Sequence, residues 1–123
     1  MDNTFLLVGA VAAFLGVALG AFGAHGLRGR VSPEMLSVFE TAVRYQMYHA
    51  LALLITAAAI GRIGDARLLV VAGWCFLVGI VLFSGSLYGL ALTSVSIMGA
   101  ITPIGGLAFL VGWGCLAAFA AAR

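Results

Sequence analysis

His49 is the titratable side chain best placed to do chemistry inside a membrane. It closes the polar part of FETAVRYQMYHALALL, residues 39–54, which then runs into an apolar segment. On a helix of about 3.6 residues per turn, Glu40, Arg44 and Tyr48 share one row. Thr41, Tyr45 and His49 share a second row beside it and continue to Thr56. Glu40 four residues before Arg44 is the favourable order for an ion pair. An ion-pair row is therefore expected next to a hydrogen-bonding row. An imidazole with neighbouring phenols and hydroxyls can fix helix packing, hold a small polar ligand or take part in ion passage. No nucleophile–base–acid set and no metal-ligand spacing accompanies it. Catalytic residues, a metal and a cofactor are all expected to be absent.

The elements that must position these residues follow from composition. The chain has 123 residues, 64% hydrophobic and 8% charged, with mean hydropathy +1.22. A soluble domain carries about 25% charged residues, so too little polar surface remains here to cover a water-soluble core. The expected class is an all-α integral membrane protein, a Gly-rich bundle of four transmembrane helices forming one domain. The six positive charges are all arginines and are scattered, with a net charge of +2. Nucleic-acid binding, which needs a basic stripe, is excluded on that ground. Met1-Asp2-Asn3 lacks the positive start of a secretory signal, and Cys75 and Cys115 read as small apolar fillers.

A bilayer core needs about 20 helical residues. Spans are expected at 5–24, 45–60, 68–90 and 103–122. Ser32-Pro33-Glu34 reads as a capped helix start at the interface, leading through 33–44 into the second span. GRIGDAR, residues 61–67, is a polar turn, 91–102 a short interfacial connection or, alternatively, part of a longer fourth helix with a kink, and Thr102-Pro103 a second capping signal. Four crossings put both termini and loop 61–67 on one side, the A face, and loop 25–38 on the B face. Arginines divide equally between the faces, which fixes no orientation. Gly9, Gly16 and Gly20 in the first span, and Gly85 and Gly89 in the third, fall at small-residue spacings that let helices approach closely.

Depth gathers the polar residues. With the second span centred near Ala52, His49 lies about 4–5 Å toward the B face at 1.5 Å per residue. Ser84, Ser86 and Tyr88 of the third span, His25 ending the first and Thr102 starting the fourth fall in the same half. The candidate cluster is therefore His25, Glu40, Arg44, Tyr45, Tyr48, His49, Ser84, Ser86, Tyr88 and Thr102. Two readings compete. In one, His49 and Tyr45 bond to Ser84 or Tyr88 and only fix packing. In the other, the cluster lines a pocket for a ligand, lipid headgroup or ion.

GAFGAHGL (20–27), FETAVRYQMYHALALL (39–54), FSGSLY (83–88) and ITPIGG (101–106) together resemble the YgdD-like small membrane proteins, domain-of-unknown-function family four-two-three. That family has relatives among small eukaryotic transmembrane proteins. The resemblance covers nearly the whole chain. It implies a multi-pass protein of the bacterial plasma (inner) membrane with four spans, and no particular activity. The function expected from the residues is a small binding or accessory protein, with membrane lipids as partners and the first-span glycines available for a homo-oligomer. The alternative is an oligomeric channel or transporter for small ions or solutes.

Overall fold

Lipid offers no hydrogen bonds to the backbone, so long apolar runs must pair their own N–H and C=O groups, and helices do so. The computed structural model describes residues 1–123 and contains four helices long and apolar enough to cross a membrane: α1, Asp2–Leu27; α2, Pro33–Ile63; α3, Arg67–Thr93; and α4, Ile97–Ala121. The last turn of α1, Gly23–Leu27, is π-helical, as is Ile80–Ser84 within α3. Each π turn inserts one residue and shifts the side-chain register that follows.

Ser32 caps α2 by accepting the Met35 N–H at 3.1 Å, with Pro33 in the first turn. Before it, Gly29 supplies the positive φ of 85° that turns the chain back from α1. At 31 residues, α2 is about 46 Å long, against a hydrocarbon core of about 30 Å. Its polar first turns therefore reach beyond the core, or the helix tilts.

Packing centres on α2. Of its most apolar window 44% is buried, against 22% for α1 and 17% for α4. α1 packs on α2, α2 on α3, and α3 on α4. The buried seam of α2 runs Ala42, Gln46, His49, Leu53, Thr56, Ile60, alternating spacings of four and three, as in coiled-coil contacts. Glycines set the approach of the helices. A side chain at Gly9 would meet Leu54 at 2.9 Å and the Ala50 carbonyl at 3.1 Å. Gly16 and Gly20 likewise face Met47 and Val43. The small-residue stripe of α1 is thus occupied by α2. Elsewhere rings sit on glycines: Phe5 on Gly73, Phe109 on Gly79 and Phe76 on Gly112. Gly105 lies against the backbone of Phe83, where any side chain would force the helices apart. Cys75 and Cys115 are free thiols.

Three expectations are corrected. The fourth helix is the longer alternative: it starts at Ile97, and Pro103 lies inside it rather than at its first position. The connection shrinks to 94–96, where Ser94 takes a left-handed φ of 58°. Membrane helices tolerate such a proline because neighbouring groups satisfy the freed carbonyl. Glu40 and Arg44 form no ion pair. Arg44 donates instead to Thr41 Oγ1 at 3.3 Å, and the ion pairs present are those of the terminal amine with Asp2 and Asp65. Both Glu40 and Arg44 are exposed, where such a pair is worth little.

Candidate functional site

The central polar side chain is Gln46, only 5% exposed. Its amide nitrogen donates to the Ala12 carbonyl of α1 at 2.8 Å. Gly16, one turn on, lies beside the amide; a Cβ there would stand 3.6 Å from Gln46 Nε2, in ordinary contact. Gln46 Oε1 accepts the Tyr88 hydroxyl of α3 at 2.6 Å. Because a carbonyl only accepts, the Ala12 contact fixes which end of the amide is nitrogen. One side chain thereby ties α1, α2 and α3 together.

Beside this pair, α1 and α3 both pack on α2 and make few contacts with each other. At the A end Phe5 bridges them by seating on Gly73, with Trp74 edge-on at 5.5 Å. Toward the B face a cleft of about 560 Å³ opens between the two helices. Its walls are Leu7, Val11, Leu15 and Leu19 of α1 and Leu77, Ile80 and Val81 of α3; Gln46 and Tyr88 supply its polar atoms. The π turn of α3 contributes Ile80 and Val81 to the wall. Gly85 borders the cleft with nothing within 4 Å of where a Cβ would stand.

His49 lies on the other side of α2. Its Nδ1 donates to the Tyr45 carbonyl at 2.7 Å, and its Nε2 accepts from Trp113 Nε1 of α4 at 3.0 Å. The neutral tautomer with its proton on Nδ1 satisfies both contacts. The ring stacks on Phe109 with centroids 3.5 Å apart and planes 6° apart. The sequence pointed to Ser84 or Tyr88 as its partner; the partner is Trp113, and neither ring nitrogen is left free. Tyr45, Tyr48, His49, Phe83, Phe109 and Trp113 line a second cleft of about 380 Å³ between α2 and α4.

The remaining candidates divide. Ser84 donates to the Ala42 carbonyl at 2.8 Å, locking α3 to α2. Ser86 donates to the Phe83 carbonyl at 2.9 Å and accepts the Thr102 hydroxyl at 2.6 Å, joining α3 to α4. Thr56 bonds back to its own helix at Ala52. His25, Glu40 and Arg44 are exposed and stand apart from these contacts, while the exposed Tyr48 borders the second cleft, edge-on to Tyr45. No group of three or more His, Cys, Asp or Glu side chains converges as a metal site. Sequence reasoning missed Gln46, Trp113 and the α1–α3 cleft. The seam spacing would have pointed to Gln46, since 42, 46, 49, 53, 56 and 60 alternate as packed helices require. An indole N–H facing lipid, which offers it no partner, would have pointed to Trp113.

Comparison with known proteins places the chain among membrane proteins. Residues 19–106 match the family model described as "Protein of unknown function (DUF423)". The UPF0382 membrane protein YwdK of Bacillus subtilis is 50% identical over 111 residues, covering 90% of each chain. UPF0382 membrane proteins of Staphylococcus haemolyticus and Staphylococcus saprophyticus are 53% and 54% identical, the alignments covering 89% and 90% of this chain and 88% and 91% of theirs. No solved structure matches the chain. The chain is a multi-pass bacterial membrane protein and belongs to this family of unknown function.

Proposed function

We propose that the protein is a small accessory protein of the membrane that binds a lipid or other apolar-tailed molecule in the cleft between α1 and α3. The observation that carries this is the cleft's combination of apolar walls and one polar pair, the buried Gln46 and the half-buried Tyr88. Its volume of about 560 Å³ lies within the usual range of small-molecule sites, about 300–1,000 Å³. It opens sideways, so a tail can enter from the bilayer without crossing water. The polar residues of the B-side half contribute by holding the cleft's walls: Ser84 and Gln46 fix α3 and α1 at a set distance on α2. An oligomeric channel draws less support, because the α1 glycines that would join copies already face α2.

Native mass spectrometry of protein released from mild detergent tests this. The wild type should retain one apolar-tailed molecule per chain. Gly85→Leu, which adds a side chain where there is open space at the cleft, should lose it while folding normally. Equal retention by both proteins, or a bare wild-type chain from several detergents, would contradict the proposal.

A further inference from the structure

Inside a bilayer, apolar walls do not select a ligand. Lipid tails are as apolar as leucine, so any chain fills such a groove without a hydrophobic gain over its neighbours. Selection must come from the polar atoms of the cleft. Gln46 has two amide N–H groups and one amide oxygen. The Ala12 carbonyl takes one N–H, and the Tyr88 hydroxyl takes up a lone pair of the oxygen. The second N–H has no protein acceptor, and Gln46 is among the residues that border the cleft. A hydrocarbon leaves that donor unpaired in lipid, which is costly. A carbonyl satisfies it.

We infer that the occupant of the α1–α3 cleft is a tailed lipid bearing a carbonyl that accepts the free amide N–H of Gln46. This rests on the reading of the cleft as a binding site. Arg44 and Arg62 bracket the uncharged part of α2, centring it near Leu53, whereas Asp2 and Arg28 centre α1 near Leu15, close to the Ala12 carbonyl that Gln46 binds. Gln46 therefore lies within about 10 Å of the midplane at 1.5 Å per residue, inside the core boundary at about 15 Å. Two sources present a carbonyl on an apolar tail: the ester of a glycerolipid, and the ring ketone of a quinone with a prenyl tail.

Matched probes separate these sources and test the inference. The full-length protein is reconstituted with a diacyl glycerophospholipid or its dialkyl ether analogue, and with a prenyl benzoquinone or a prenyl hydrocarbon of equal length. Retention is then read by native mass spectrometry. One hydrogen bond of ordinary strength predicts that a carbonyl-bearing probe is retained about five- to tenfold better than its carbonyl-free partner. Preference within the ester pair identifies a glycerolipid, and preference within the quinone pair identifies a quinone. Gln46→Leu should erase the preference within each pair, whatever its effect on total retention. Because that variant also loses a helix contact, the infrared stretch of a ¹³C-labelled carbonyl bound to the wild-type protein provides a second readout, expected at lower frequency than in bulk lipid. Equal retention within both pairs, or an unshifted stretch, overturns the inference and leaves the cleft as a binding site. Retention of no probe overturns both.

Discussion

The link from Gln46 to Tyr88 can be measured as a coupling energy. Tyr88→Phe keeps the ring against Phe39, where centroids lie 5.0 Å apart, and deletes only the donor at 2.6 Å from Gln46 Oε1. Interhelical hydrogen bonds in membranes average about 0.6 kcal/mol and reach about 1.7 kcal/mol. The single variant should therefore lose about 0.6–1.7 kcal/mol. Gln46→Leu removes the Ala12 bond as well, so its loss should be about twice as large, about 1.2–3.4 kcal/mol. Once leucine stands at 46, the tyrosine hydroxyl has no partner there, and Tyr88→Phe should cost nothing further. The double-mutant cycle should then return a coupling of about 0.6–1.7 kcal/mol. Reversible unfolding in mixed micelles of rising SDS fraction, followed by the fluorescence of Trp74 and Trp113, supplies the four free energies. Coupling below about 0.3 kcal/mol, the level at which distant sites already add, would refute the bridge.

Three further outcomes follow from the packing. Gly105→Ala places a Cβ on the Phe83 backbone and should destabilise the protein by about 1–3 kcal/mol in the same assay, whereas Gly85→Ala enters open space and should stay within about 0.5 kcal/mol. Trp113→Phe retains an aromatic ring but removes the donor to His49 at 3.0 Å, for a loss of about 0.6–1.7 kcal/mol. Arg44→Ala, at an exposed position bonded only to Thr41, should change stability by less than about 0.5 kcal/mol.

The four helices were legible because uncharged runs of membrane length admit few other structures, and the start of α2 was legible because Ser32-Pro33-Glu34 carries its own cap. The start of α4 was not. Thr102-Pro103 looks like a helix beginning, yet the helix extends six residues further toward the N-terminus, to Ile97. Local preference gives way there to packing, with Met98 seated on Gly89 and Thr102 bonded to Ser86. The polar stretch of α2 was half legible. Rows at spacings of four placed Glu40, Arg44 and Tyr48 together, and all three lie outside. The interior seam follows spacings of four and three, so it takes His49 from one row and adds Gln46, which neither row contains. The cleft was not legible at all. It depends on α1 and α3 both packing on α2 with few contacts to each other, and no sequence spacing encodes that arrangement.

A density map of the protein in lipid nanodiscs tests the central claim most directly. The account predicts α1 and α3 held apart beyond Phe5 and Gly73, with elongated non-protein density along Leu7, Val11 and Leu15 that reaches the amide of Gln46. Closure of α1 onto α3, or a cleft filled by side chains of a second copy, would contradict it.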